Sequence, residues 1–182
     1  WIADDFNRPN EVPLSGGYEN LDHAVYGLTY GGLRLVGNRV RRYDAIRTYH
    51  GAIAPVSAHP DQYSEATLAV APGGAAGVIV GVRFRNRLSP TGLWAFCHGN
   101  GTDVNETVAG FTTSLWWTAA TKWVAEDVAR LEISGDAWTL YKNGLIVTSG
   151  VRVGHRGNPL VGVVGAAEAD FFRGGGLAVN EV

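Results

Sequence analysis

The sequence predicts an all-β protein built as a two-sheet antiparallel jelly-roll sandwich. Short runs of alternating apolar and polar residues recur roughly every 8–12 residues, the spacing of a sandwich or barrel. Turn signals rich in Gly, Pro, Asn and Asp separate them. The clearest unit is Val128 to Ser149, V-A-R-L-E-I-S-G-D-A-W-T-L-Y-K-N-G-L-I-V-T-S, with three apolar runs parted by Ser134-Gly135-Asp136 and Asn143-Gly144. Asn-Gly between alternating residues predicts a two-residue type I′ hairpin turn, because both central positions need φ > 0. The stretch is therefore a predicted three-stranded meander. Its second turn sets Lys142 against Leu145, Tyr141 against Ile146 and Leu140 against Val147. Leu131 and Ile133 face one way, Arg130 and Glu132 the other.

Composition supports the same class. A chain of 182 residues is long enough for one domain, expected over 1–182, that buries about 70% of its unfolded surface. Charged residues make up 18% of the chain, against about 25% in an average domain, while glycine is about twice its usual share. The hydrophobic fraction is 46%, and no apolar run approaches the roughly 20 residues of a membrane helix. A net charge of −2 gives no drive toward nucleic acid or an anionic membrane, so neither is an expected partner. The single cysteine, Cys97, excludes an internal disulfide framework. Methionine is absent and the chain opens on Trp1, which gives the expectation of one module of a longer or processed polypeptide. Arginine far outnumbers lysine, with abundant Ala, Gly and Val, a bias that fits a GC-rich coding source such as an actinobacterium or one of its phages.

In chain order, Trp1 to Phe6 reads as an edge strand and Asn7 to Gly17 as a loop. Leu28 to Val36 reads as a strand with Leu33 and Leu35 inward and Arg34 outward, turning at Gly37-Asn38 into Val40 to Tyr43. Ala45 to His50 alternates again. After a loop from Ala54 to Asp61, Tyr63 to Ala71 is a strand with Ala66, Leu68 and Val70 on one face. Pro72-Gly73-Gly74 turns into Gly77 to Asn86, a central strand with Val78, Val80, Val82 and Phe84 on one side and Arg83 and Arg85 on the other. Leu93 to His98 follows, with Trp94, Phe96 and His98 on one face. Gly99 to Thr107 is polar and reads as a long loop. Val108 to Thr118 is apolar and aromatic. Val124, Val128 and Leu131 fall at i, i+4 and i+7, but the alternation from Val128 through Ile133 favours strand. Leu160 to Val164 and Phe171 to Val182 supply the last strands, with the terminal strands adjacent.

The run R-L-E-I-S-G-D-A-W-T-L-Y-K-N-G-L-I-V, with Asp4-Asp5-Phe6 near the start and Asp170-Phe171-Phe172 near the end, resembles laminin-G-like domains of the concanavalin A-like lectin and glucanase superfamily. The resemblance implies a concanavalin A-like jelly roll, but this superfamily includes lectins, adhesion modules, glycosidases, lyases and virion proteins, so it leaves function open.

Catalytic patterns are sparse. Laminarinase-type glycosidases on such a fold carry Glu-x-Asp-x-x-Glu, because acid and nucleophile must stand on one face about 5 Å apart. The sole Glu-x-Asp here is Glu168-Ala169-Asp170, and Arg173 stands where the third carboxylate should fall. Cys97 and His98 are neighbours on a strand and point to opposite faces, so they form no thiol–imidazole pair and Cys97 reads as a core residue. The five histidines, His23, His50, His59, His98 and His155, show no zinc-ligand spacing.

Two stretches suggest binding. From His98 to Thr107 the oxygen-bearing Asn100, Asp103, Asn105 and Glu106 crowd together, as a hard cation needs, and form a candidate calcium site; the same residues equally suit a hairpin loop. Trp116 and Trp117 are adjacent, so on a regular strand one faces the core and the other solvent. An exposed indole offers a rigid apolar face to a sugar ring, making Trp116, Trp117, Trp94 and His98 the candidate carbohydrate-binding residues. Arg83, Arg85 and Arg87 form a basic stripe that reads as a solvated face or an anionic-glycan contact. The expected function is a non-catalytic carbohydrate-binding or adhesion module on a virion surface or a secreted, extracellular protein. A structural virion module acting through other virion or cell-surface chains is the alternative, with a glycan-degrading enzyme third.

Overall fold

The computed structural model describes residues 2–4, 7, 9–11, 19–20, 23–25, 28–31, 33–36, 39–42, 49–53, 59–69, 77–85, 91–109, 111–156, 158, 160–165 and 169–177. In chain order the strands are β1 (Ile2–Asp4), β2 (Glu19–Asn20), β3 (His23–Val25), β4 (Leu28–Gly31), β5 (Leu33–Val36), β6 (Arg39–Arg42), β7 (Tyr49–Ile53), β8 (Gln62–Leu68) and β9 (Gly77–Arg85). They continue with β10 (Thr91–His98), β11 (Gly101–Val108), β12 (Phe111–Thr118), β13 (Val128–Ser134), β14 (Ala137–Lys142), β15 (Leu145–Val151), β16 (Leu160–Gly165) and β17 (Ala169–Gly176). No helix occurs among the described residues.

The strands form two sheets. The first runs β15-β14-β13-β8-β17-β6-β5, with β1 also on β17; the second runs β12-β11-β10-β9-β16-β7-β4-β3, with β2 also on β7. The terminal strands are adjacent as expected: Ile2, Ala3 and Asp4 lie opposite Gly174, Arg173 and Phe172. Among the described residues all pairings are antiparallel except β4 with β7. Alternation aims one face of each sheet inward. The first sheet contributes Leu33, Leu35, Val40, Leu68, Leu131, Ile133, Leu140 and Phe172, and the second Val78, Val80, Val82, Leu93, Ala95, Cys97 and Val104. Trp123, from the segment before β13, fills the space between them and donates its Nε1–H to Thr102 Oγ1 at 2.8 Å.

The meander forms as the sequence predicts. Asn143 and Gly144 adopt φ of 52° and 79°, the two left-handed positions of a type I′ turn. Asn143 also accepts a bond from the Val128 amide and donates to Asp127, which ties the turn to the start of β13. The pairing differs in one place: Leu140 lies opposite Thr148, not Val147, because a bulge falls between Leu140 and Tyr141.

Other expectations change. Leu28 to Val36 is two strands, β4 in the second sheet and β5 in the first. The polar stretch Gly99 to Thr107 is not a loop: Gly99-Asn100 is a tight turn and the remainder is β11, mostly buried. Arg83 does not face solvent. Around it the register slips against both neighbours of β9, between Thr91 and Leu93 and between Leu160 and Gly162, and Arg83 takes φ 53°. This bulge turns its side chain inward. The guanidinium is completely buried and donates to the carbonyls of Pro60, Gly135 and Gly154 at 2.9, 2.5 and 3.2 Å. The stripe therefore loses its first member. Arg85 is exposed; Arg87 lies outside the described residues, as do Trp1, Asp5, Phe6, Gly37, Asn38, the Pro72–Gly74 turn, Glu168 and the side chains of Phe84, Asp170 and Phe171.

Candidate functional site

The outer face of the second sheet, over β10, β11 and β12, gathers most of the residues singled out for binding. On β10 the core takes Leu93, Ala95 and Cys97, which sends Trp94, Phe96 and His98 outward by strand alternation. Burial pushes the Cys97 thiol far above its ordinary range, as suits an inert core residue. Opposite Trp94 and Phe96 stand Asn105 and Asp103 of β11. Opposite Asp103, Asn105 and Thr107 stand Trp117, Ser114 and Thr112 of β12. Three neighbouring strands thus put an aromatic and polar array on one surface.

A bulge decides which tryptophan is offered. Counting by twos from Thr112 and Ser114 would bring Trp116 to this face. The β11–β12 register slips between Val104 and Asn105, so Ser114 opposes Asn105 while Trp116 opposes Val104. The extra residue, Leu115, and Trp116 both pack against the core. Trp117 takes the outward place and is 58% exposed.

Around it the polar groups are held in place. His98 Nε2 and Asp103 Oδ2 are 3.0 Å apart, and the His98 ring stacks on Phe96 at 4.7 Å between centroids. A Cβ on Gly77 would meet the Phe96 ring and His98 Cβ at 2.7 Å, so glycine there lets this pair lie flat. Trp94 donates Nε1–H to Thr107 Oγ1 at 2.8 Å, and Thr107 Oγ1 pairs with Thr112 Oγ1 at 2.9 Å. Trp94 is only 7% exposed, so it supports the face and presents no stacking surface. His98 Nδ1 is buried without a hydrogen-bond partner among the described residues.

The four candidate calcium ligands are not brought together. Asn100 sits in the β10–β11 turn. Asp103 and Asn105 share the outer face, but Glu106 is one residue out of phase and points to the opposite side. There Arg152 grips both its oxygens, at 2.9 and 2.5 Å, and His155 Nε2 lies 2.8 Å away. The Arg152 bonds, outweighing burial, hold the Glu106 carboxyl below its ordinary value, with His155 adding to the effect. No group of three or more His, Cys, Asp and Glu suited to a metal occurs among the described residues. Strand alternation over Asp103-Val104-Asn105-Glu106 is the physical reason: a loop could fold these oxygens inward, whereas a strand parts them.

No protein-family model matches the sequence, and no curated protein matches it. Solved structures do. The carbohydrate-binding module CBM66 from Bacillus subtilis aligns over 85% of this chain and 91% of its own, with 14% identity and a TM-score of 0.63. A prokaryotic β-1,3-1,4-glucanase (lichenase) from a mouse hindgut metagenome aligns over 97% and 99%, with 7% identity and a TM-score of 0.62. The fold is a concanavalin A-like jelly roll. The CBM2 module of the evolved Dit of Lactobacillus casei BL23 phage J-1 shares this jelly roll over 95% and 92%, with 11% identity and a TM-score of 0.55. At these identities the likeness establishes the jelly roll alone, and it spans binding modules and an enzyme.

Proposed function

We propose that this protein is a non-catalytic carbohydrate-binding module whose ligand lies on the outer face of β10–β12, at the surface of a secreted protein or a virion. The observation that carries the reading is Trp117, 58% exposed and directly across from Asp103 in the β11–β12 ladder. A flat indole beside a carboxylate–imidazole pair and the exposed Ser114 and Thr112 supplies what a sugar needs: an apolar platform for its C–H face and hydrogen-bonding groups at the edge. The two carbohydrate-binding modules on the same fold support it. Holding without cleaving fits the charge on the face. Glycoside hydrolysis takes two carboxylates flanking the bond, and among the described residues of β9–β12 Asp103 is the one carboxylate on this surface.

Titration of tryptophan fluorescence against a panel of bacterial envelope glycans, with and without calcium, tests the reading. Trp117→Ala weakens binding at least tenfold, in the range of a stacking anchor, whereas Trp116→Ala changes stability more than affinity. Equal affinity in wild type and Trp117→Ala would place the ligand elsewhere.

A second reading, an assembly module of a virion, draws on Leu145, Ile146, Val151 and Val153, which are 75%, 67%, 72% and 74% exposed along and just past the edge strand β15. An exposed apolar edge invites protein contacts. Sedimentation showing a stable oligomer, dispersed by Ile146→Lys, would favour it.

A further inference from the structure

The outer face of the first sheet carries a different arrangement. Arg173 of β17 lies opposite Glu65 of β8, Glu65 opposite Arg130 of β13, and Arg130 opposite Tyr141 of β14. With Glu132 and Val128 on β13, this row lines an open groove of about 590 Å³ that ends at the Asn143-Gly144 turn.

Its floor is a fixed network of ion pairs. Glu65 is 6% exposed although it stands on the outer face of a sheet. Arg173 donates Nε–H and Nη2–H to its two oxygens at 2.6 and 3.1 Å, and Arg130 Nη1 approaches at 3.5 Å. Arg130 in turn donates Nε–H to Glu132 at 2.6 Å and lies over the Tyr63 ring at 4.2 Å. Burial, and then the Glu132 charge and hydrogen bond, raise the Tyr141 phenol above its ordinary value, so it stays protonated beside Glu132. Two guanidinium groups and two carboxylates cancel in charge. An anion such as phosphate would gain no net attraction from so balanced a row, and at the Arg173 N–H groups not bonded to Glu65 it would stand beside that buried carboxylate as a like charge.

A neutral polyhydroxylated molecule has no such cost. Each hydroxyl donates and accepts, and adjacent hydroxyls match the paired donors of a guanidinium and the paired acceptors of a carboxylate. The groove offers both side by side, with three of the five Arg173 N–H groups not engaged by Glu65, and with Val128 and the Tyr141 ring as an apolar wall. We infer that this groove is a second ligand site, taking a neutral sugar residue, separate from the Trp117 face and on the opposite side of the molecule. The protein then holds two glycan segments at once, one on each sheet.

Calorimetric titration with methyl glycosides of glucose, galactose and mannose, with glucuronate as the charged comparison, tests this. The Trp117→Ala background isolates the groove. Val128→Arg fills it without removing any Glu65 partner, and Tyr141→Phe removes one donor; thermal melting checks that both variants fold. In Trp117→Ala a saturable heat persists for at least one neutral glycoside, and glucuronate binds at least tenfold more weakly. Adding Val128→Arg reduces that affinity at least tenfold, and adding Tyr141→Phe reduces it several-fold. No residual heat in Trp117→Ala, or residual heat indifferent to Val128→Arg, would overturn the second site while leaving the Trp117 reading standing. Binding lost in Val128→Arg alone and kept in Trp117→Ala would do the reverse. Absence of binding by either face overturns both.

Discussion

Arg83 shows how much one backbone angle can decide. At φ 53° its side chain leaves the pattern of β9 and caps three carbonyls, from Pro60, Gly135 and Gly154. Removing the guanidinium leaves buried acceptors unsatisfied, which costs on the order of 3 kcal/mol. Arg83→Met is expected to lower the urea midpoint accordingly with an unchanged slope, and Arg83→Lys to recover only part, since one ammonium cannot span three carbonyls. Glu106 makes a pH-dependent contribution. Its folded carboxyl lies below the ordinary 4.5, chiefly through Arg152 and against burial, so its stabilisation is complete above about pH 4.5 and is lost as pH falls through the lower folded value. Thermal melting of Glu106→Gln from pH 7 to 3 should start lower and fall less steeply than wild type. Asp61 and Asp127, also lowered, leave the variant some acid sensitivity. None of this was legible from residue types. Arg83 read as outward and Glu106 as a cation ligand because the bulge in β9 and the pairing of β11 are tertiary facts. The outward choice between Trp116 and Trp117 likewise turns on one extra residue at Leu115.

At the scale of elements the local signals served better. The two tight turns and the alternation of β13 follow from Asn-Gly, Ser-Gly-Asp and period-two patterning, all encoded within a few residues of each other, whereas the pairing of the terminal strands follows from the expected jelly-roll fold. The Leu140–Thr148 offset has no local signal, since nothing in L-I-V-T-S marks where a strand will bulge. Gly150 has a reason that only packing discloses: a Cβ there would lie 2.6 Å from Trp138 Cζ2, and Trp138 is a buried core residue. Gly150→Ala therefore displaces the indole and is expected to destabilise by about 1–3 kcal/mol, read from the denaturant midpoint. β11 goes against its local composition. Gly-Thr-Asp-Val-Asn-Glu-Thr has loop composition, but its neighbours β10 and β12 present complete ladders, and satisfying their backbone groups outweighs local preference.

For the molecule as a whole, the segment after β15 joins the sheets. Arg152 and His155 reach Glu106 of the second sheet, and Gly154 accepts from Arg83, also of the second sheet. The core between the sheets closes beneath this strap. Disturbing it should loosen both faces together, so Arg152→Ala is expected to lower the melting temperature and to speed amide exchange in β11 and β15 alike, an outcome that independent sheets would not give. The two-sheet architecture was readable from rhythm and composition. Which side chains share a face was not, because it depends on which strands from distant parts of the chain become neighbours.

The lone thiol turns this closed core into a clock. Cys97 is fully buried on the inner face of β10, and there is no second cysteine to confuse its signal. A thiol reagent can reach it only when the sheets part, so under native conditions the labelling rate counts openings of the whole sandwich. A glycan bound to either face and released on opening would lengthen the interval between those openings by the factor 1 + [L]/Kd, so the same labelling rate would report its affinity.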